Sequence, residues 1–326
     1  ILWFGGNRIG AGIMEIGDIT AVREYAMLIL FYLIMAQMVI ILLPRAGICL
    51  ERIKEVLTAE PEIVDGERKT RKTNNSDVIT FKNMTFRFAD ADEDTLCNLD
   101  FACKRGQTTA IIGSTGSGKS TIAKLIMRFH DATKGSILLN GQDIRNISQK
   151  ELRNHISYVP QQAWLFSGTI ADNLRYGNED ATEEDMHHAL KVAQSEFVEE
   201  LEDGLNAKVA QGGTNFSGGQ KQRLSIARAL VKKADIYIFD DSFSALDFKT
   251  DAALRKALVE ETKEAAVLII AQRISTILNA DQIIVLDDGK VVGMGTHKEL
   301  MKNCTVYQEI AKSQLKGDVE NVKEKE

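Results

Sequence analysis

Gly113-Ser114-Thr115-Gly116-Ser117-Gly118-Lys119-Ser120 fits the pattern G-x-x-x-x-G-K-[ST], a loop whose glycines let successive backbone N–H groups turn inward around phosphate oxygens. In such a loop Lys119 meets the outer oxygens and Ser120 offers its hydroxyl to Mg²⁺. A Gly-rich turn would look the same in isolation, but the flanks argue otherwise. The apolar run Thr109-Ala110-Ile111-Ile112 precedes the loop, and Thr121-Ile122-Ala123-Lys124-Leu125-Ile126-Met127 follows it with helix-compatible residues. Strand, loop and helix in that order are what phosphate binding requires. Further along stands a second phosphate-handling motif, Ser217-Gly218-Gly219-Gln220.

At 326 residues the chain has room for about two domains, and its 44% apolar and 26% charged content is that of an ordinary folding sequence. The net charge of −6, with no Lys/Arg block that stands out as a phosphate-backbone stripe, speaks against nucleic acid as a partner. Cys49, Cys97, Cys103 and Cys304 form no C-x-x-C pair and no regular framework, so reduced thiols facing the cytosol are expected.

Residues 25–43, YAMLILFYLIMAQMVIILL, contain Gln37 as their one strongly polar member. A helix of that length spans about 29 Å, close to the hydrocarbon thickness of a bilayer, and a membrane span is expected in preference to a core helix or a signal peptide. Arg45, Arg52 and Lys54 follow it and place the rest of the chain in the cytoplasm. Residues 1–17 are apolar but Gly-rich and suffice for part of another span, so the expectation is a truncated start with earlier membrane helices missing, in a multi-pass protein of the cell membrane. Residues 44–57 continue as helix; 58–77, with the polar stretch DGERKTRKTNNSD at 65–77, read as a linker with a domain boundary near residue 75. Strands are expected at 78–88, 100–112, 236–239 and 267–270, and a helix at 224–230, a succession that implies a parallel α/β core. Residues 181–201 read as a helical insert in which His187 and His188 are solvated rather than metal ligands, and 316–326 as a frayed tail.

The order of these motifs resembles the nucleotide-binding domain of ABC transporters, of the exporter type with membrane helices fused ahead of the ATPase. The resemblance implies a P-loop NTPase with a RecA-like parallel-sheet core, an antiparallel β subdomain and a helical subdomain at about 162–228. That ATPase domain would occupy 78–315, after a truncated all-α transmembrane region at 1–57. It implies ATP and Mg²⁺ as ligands, with Gly113, Ser114, Thr115, Gly116, Ser117, Gly118, Lys119, Ser120 and Thr121 around the phosphates and Phe88 stacked on adenine. Val159-Pro160-Gln161-Gln162 resembles the Q-loop, with Gln161 reaching Mg²⁺ and the attacking water. The neighbouring Trp164-Leu165-Phe166 is either a contact surface for membrane-domain helices or ordinary core. Asn215-Phe216-Ser217-Gly218-Gly219-Gln220 resembles the signature motif that closes over nucleotide held by an opposite subunit. Ile236-Tyr237-Ile238-Phe239-Asp240 resembles Walker B, with Asp240 at Mg²⁺, and Ser244-Ala245-Leu246-Asp247 the D-loop.

The chain departs from the family at three positions. Phe216 replaces a leucine of the signature, Asp241 stands where the family places a water-polarising glutamate, and Gln272 where it places a histidine. Drawing a carboxylate back by about 1 Å can cost on the order of 10²-fold in rate. Glutamine can hydrogen-bond a phosphate oxygen but cannot become cationic. The pattern resembles the degenerate site of heterodimeric exporters, so the expected partner is a second ABC half-transporter that supplies the missing Glu and His, in a lipid bilayer, moving a small molecule or lipid outward. The alternatives are a homodimeric, fully active exporter and, in another class, a nucleotide-gated module that does not transport.

Overall fold

The structure, a computed structural model of the chain, describes residues 1–67, 69–70 and 76–323, with side chains described as far as residue 314. It divides into two units, Ile1–Glu62 and Ile63–Glu326.

The first unit is two helices, α1 (Leu2–Gly10) and α2 (Ile16–Leu57). The α2 N-terminus is fixed by Asp18, whose carboxylate accepts from the Glu15 amide at 3.1 Å, and its far end by Thr58, whose hydroxyl donates to the Lys54 carbonyl at 2.7 Å. Pro44 lies inside α2 without ending it. Among the described residues α2 is the one helix long and apolar enough to cross a membrane, and none of its residues is buried within the chain.

The second unit begins with β1 (Asp77–Phe86), β2 (Leu96–Lys104), β3 (Thr108–Gly113), α3 (Lys119–Ile126), β4 (Lys134–Leu139), β5 (Gln142–Asp143), α4 (Gln149–Asn154) and β6 (Ile156–Val159). A more helical stretch follows: β7 (Gly168–Thr169), α5 (Ile170–Arg175), α6 (Glu183–Val192), β8 (Lys208–Val209) and α7 (Gly218–Val231). The chain then returns to the sheet through β9 (Ile236–Asp240), α8 (Phe248–Glu261), β10 (Ala266–Ile270), β11 (Gln282–Asp287) and β12 (Lys290–Gly295), and finishes on α9 (His297–Asn303) and α10 (Thr305–Lys323).

The central sheet has the order β12-β11-β3-β10-β9-β6, parallel except for β12. A separate antiparallel sheet has the order β2-β1-β4-β5, and β7 pairs with β8. Strand alternation assigns the core. Ala110 and Ile112, Tyr237 and Phe239, Val267 and Ile269 face the helices α5 to α10, whereas Ile111, Ile236, Ile238, Leu268 and Ile270 face α3 and the antiparallel sheet. A parallel sheet covered on both faces must be apolar throughout, which is why its strands read as continuous apolar runs.

Several expectations need correction. The run 100–112 is two strands in different sheets, separated where Gly106 turns at φ 70° and donates its amide to the Ala265 carbonyl at 2.8 Å. The first strand ends at Phe86, two residues short of Phe88. The insert 181–201 carries one α-helix, which stops at Val192, and a single 3-10 turn at Glu196–Val198 after it. Gln194 takes a left-handed φ of 55°, and the Ser195 amide bonds back to the Leu190 carbonyl, a Schellman-type stop made by Gln instead of Gly. The residues expected to fray from 316 are helical to Lys323, and 324–326 lie outside the described residues. The boundary expected near residue 75 lies outside the described residues; contacts divide the chain after Glu62. Part of the expected linker is fixed to the second unit: Arg128 donates to the Val64 carbonyl, Gln149 to Asp65, and Thr70 sits between Glu151 and His155.

Candidate active site

The C-terminal ends of β3 and β9, neighbours of β10, bring the loop 113–120 and Asp240 together, as ligand sites in open α/β sheets are placed. Two glycines are required sterically. A Cβ on Gly113 would overlap the Leu286 carbonyl oxygen and stand 2.7 Å from Ser117 Oγ; Gly118 turns at φ 95°, where a Cβ would lie 2.5 Å from Leu96 Cδ2. Gly118 is the N-cap of α3 and has no side-chain cap to offer, so the first turn of α3 keeps its amides for another acceptor.

Lys119 Nζ donates to the carbonyls of Gly113 at 2.8 Å and Ser114 at 2.7 Å, bonds it can exchange for a ligand's oxygens. Burial holds its ammonium below the ordinary lysine value, against the pull of Asp241 and Asp240. Ser120 Oγ donates to Asp240 Oδ1 at 3.2 Å, and Tyr158 OH to Asp240 Oδ2 at 3.2 Å. Burial raises Asp240 above the ordinary carboxylate value, opposed by those two hydroxyls and by Lys119. Ser117 Oγ is buried without a partner. A hydroxyl and one carboxylate suit Mg²⁺, which retains waters and substrate phosphates instead of an all-protein cage, and no cluster of three or more His, Cys, Asp or Glu side chains placed to hold a metal occurs among the described residues.

Asp241 follows the strand end with a left-handed φ of 48°, its amide held by the Ile270 carbonyl at 2.8 Å. Aspartate is one of the few side chains that tolerate this conformation. Gln161 Nε2 donates to Asp241 Oδ2 at 3.1 Å. Burial and then the neighbouring Asp240 charge raise the Asp241 carboxyl, opposed by Gln161. Gln161, Asp241, Ser244, Gln272 and Gln314 line one cavity of about 1010 Å³.

Phe88 is half-buried, its ring edge-on to Phe86 at 4.8 Å and to His130 at 5.3 Å. Ser217 is the N-cap of α7: its Oγ accepts from the Gln220 amide at 3.3 Å while Gln220 Oε1 accepts from the Ser217 amide at 2.9 Å, so Ser-Gly-Gly-Gln is also a capping box. Gly218 faces open space, and a Cβ on Gly219 would lie 3.5 Å from the Ala245 carbonyl, which puts the second motif beside Ser244-Ala245-Leu246-Asp247. No hydrogen bond among the described residues joins Ser217–Gln220 to the loop 113–120. Ser244 Oγ donates to the Asp241 carbonyl at 2.9 Å, and Asp247 caps α8 through the amides of Lys249 and Thr250, bonds that hold its carboxyl below the ordinary value. Trp164 and Phe166 are exposed around a buried Leu165, so the tripeptide is both surface and core. His187 and His188 are exposed and face Glu199 and Glu261.

Three contributors escaped the sequence reading: Tyr158; Arg255, which donates to the carbonyls of Ser275 and Thr276 in the loop after Gln272; and Gln314, which is bonded to the backbone of Gln272 and Ile274. Tyr158 carried a signal in its place on an apolar strand just before Pro160; the other two are distant in sequence from the residues they hold.

Residues 96–244 match the family model described as ABC transporter. The chain is 45% identical over 319 residues to an uncharacterized ABC transporter ATP-binding protein of Mycobacterium bovis, covering 96% of this chain and 54% of that protein. It is 39% identical over 262 residues to an ATP-dependent lipid A-core flippase of Vibrio parahaemolyticus, covering 80% of this chain and 45% of the flippase. Among solved structures it is similar to a bacterial Atm1-family ABC exporter with ATP bound, at a TM-score of 0.78 and 34% identity, over 93% of this chain and 53% of that one. The chain spans about half the length of the curated relatives it matches. With the loop 113–120, Asp240 and the capped Ser217–Gln220 motif arranged as described, the chain belongs to the ABC transporter family and carries its ATP-binding domain.

Proposed function

We propose that the chain is the ATP-binding, ATP-hydrolysing half of an ABC exporter, with a slow site of its own and a Ser217–Gln220 motif that completes a faster site on a partner half. ATP is the substrate: Phe88 offers a face for adenine, the loop 113–121 surrounds the phosphates, and Lys119 releases the Gly113 and Ser114 carbonyls to meet them. Mg²⁺, held by Ser120 and Asp240 with Gln161 in reach, would neutralise charge on the transferring phosphoryl group. Asp241 accepts hydrogen bonds from the attacking water, and Gln161, already bonded to it, orients the same water. Gln272 donates to a phosphate oxygen without supplying a positive charge. Closure of two such domains head to tail over ATP would be passed to α2 and the membrane, moving a small molecule or lipid outward; the lipid flippases among the relatives favour a lipid as the cargo.

The observation that carries the slow-site reading is the pair Asp241 and Gln272 lining one cavity with Gln161, each lacking what the reaction asks of it: reach in one case and charge in the other. One observation favours the homodimeric alternative, because burial and Asp240 raise the Asp241 carboxyl and make it a stronger base than an ordinary aspartate. The two readings part in a single experiment on the intact chain in lipid. Asp241→Glu with Gln272→His should raise ATP turnover by about 10²-fold at unchanged nucleotide affinity. Turnover already fast in the natural sequence, with no gain in the double variant, would return the homodimer.

A further inference from the structure

The loop that presents Gln272 runs over open cavity and has to be held there by other elements. Its carboxyl-terminal part is tied by Arg255 of α8, whose guanidinium, oriented by both oxygens of Asp251 at 2.9 and 2.7 Å, donates to the carbonyls of Ser275 at 3.1 Å and Thr276 at 2.9 Å. Its amino-terminal part is bracketed by a side chain of α10, while the Gln272 amide also faces the Asp241 carboxylate. Gln314 Nε2 donates to the Gln272 carbonyl at 2.7 Å, and Gln314 Oε1 accepts from the Ile274 amide at 2.8 Å. A primary amide is the one side chain of that length offering both a donor and an acceptor, so it spans Arg273 and fixes the backbone on either side of it.

Gln314 is itself well placed to act as a fixed post. It follows Tyr307 and Ala311 on one face of α10, at the i, i+4 and i+7 spacing, and both of those are buried in the core. The Tyr307 hydroxyl is in turn hydrogen-bonded to His297 of α9 at 2.8 Å. The clamp therefore reaches from the C-terminal helices to the backbone of a residue that lines the same cavity as Asp241.

We propose that Gln314 is a positioning residue for ATP hydrolysis, fixing the Gln272 backbone so that its side chain meets the phosphate, and that the C-terminal helix α10 thereby sets the rate of the chemical step. This rests on the reading of Gln272 as a phosphate-facing group. Nucleotide affinity resides mainly in the loop 113–121 and does not depend on the clamp, so its loss divides turnover from binding.

The test uses the intact chain in lipid, with Gln314→Met, which keeps volume but makes neither bond, and Gln314→Glu, which still accepts from Ile274 but sets a carboxylate oxygen against the Gln272 carbonyl. Each is measured in the natural sequence and with Asp241→Glu and Gln272→His added. The expected result is a fall in kcat of about tenfold for Gln314→Met, less for Gln314→Glu, at unchanged KM for ATP. Hydrogen exchange of the Ile274 amide should rise in Gln314→Met and stay slow in Gln314→Glu. Unchanged exchange, unchanged kcat, or a loss of kcat that only follows a loss of folded protein overturns the proposal. If Asp241→Glu with Gln272→His brings no gain in turnover, the slow-site reading fails on that result alone, while the exchange at Ile274 and the kcat in the natural sequence still decide the clamp.

Discussion

At Gly118 the chain turns through a left-handed φ of 95° one residue before Lys119, and the space where a side chain would begin is filled by Leu96 from β2. Both facts bear on phosphate binding, since the turn aims the first amides of α3 at the loop and Leu96 is fully buried and cannot retreat cheaply. Strain of this kind costs on the order of 1–3 kcal/mol. Gly118→Ala should therefore weaken ATP binding by at least about tenfold by calorimetric titration, and lower the melting temperature as well. An affinity equal to that of the natural chain would mean that the amides of this turn take no part. Asp241 offers a parallel lesson. Its left-handed φ of 48° suits aspartate better than glutamate, so the short carboxylate agrees with its backbone even where it disagrees with the family.

Among the elements, α4 ends on His155, where four segments of chain meet. His155 Nδ1 lies 2.8 Å from Asp235 Oδ2 just ahead of β9, its Nε2 lies 2.7 Å from the Thr70 hydroxyl, Glu151 of α4 is 3.7 Å away, and Arg105 approaches Asp235 at 3.6 Å. The hydrogen bond to Asp235 is the main reason the imidazole is raised above its ordinary value of 6.5; burial opposes it, and the charges of Asp235 and Glu151 add to it. A folded value above the unfolded one means stability that is complete below the unfolded value and lost as pH rises through the folded one. Asp235, lowered chiefly by the same bond, contributes stability that fades only in acid, below its ordinary 3.8. As pH rises above 6.5 the natural chain should thus lose stability that His155→Gln does not lose, read as a steeper fall of melting temperature with pH by scanning calorimetry. Parallel slopes for the two proteins would remove the imidazolium from the account. Such a junction was illegible in the sequence, because it joins residues some 80 apart, whereas β3, the loop and α3 were legible from local periodicity alone. Where periodicity misled, one backbone angle was responsible: Gly106 sends an unbroken apolar run into two sheets, and Gln194 ends a helix without the glycine that would have announced it. Within the site, Asp240, Gln161 and Asp241 could be named from their motifs. Tyr158, Arg255 and Gln314 act through contacts that no spacing encodes.

Taken whole, the chain is two units with opposite relations to water. The 42 residues of α2 extend roughly 63 Å, about twice a bilayer's hydrocarbon core, and none is buried within the chain; its uncharged stretch 25–43 is the part proposed to lie in lipid, with Arg23 and Glu24 before it and Arg45 after it. The second unit contains both hydrophobic clusters and so has what it needs to fold alone. Where that unit begins is a physical question with a measurable answer. Arg128, 2% exposed, donates to the Val64 carbonyl at 2.8 Å; Asp65 takes two bonds from Gln149, both at 3.0 Å; Gly66 lies so close to the Asn146 backbone that a Cβ would overlap it; and Thr70 donates to Glu151 at 2.7 Å. Beginning the chain at Ser76 strips these partners and leaves the buried Arg128 one acceptor short. Ordering the extra residues costs conformational entropy, so the net gain is smaller than the sum of the bonds, about 2 kcal/mol. A chain that starts at Ile63 should therefore need no detergent, melt about 5 °C above one that starts at Ser76, and bind ATP as tightly. Equal melting temperatures would return 63–70 to the status of linker and move the edge of the ATP-binding domain to the first residue of β1.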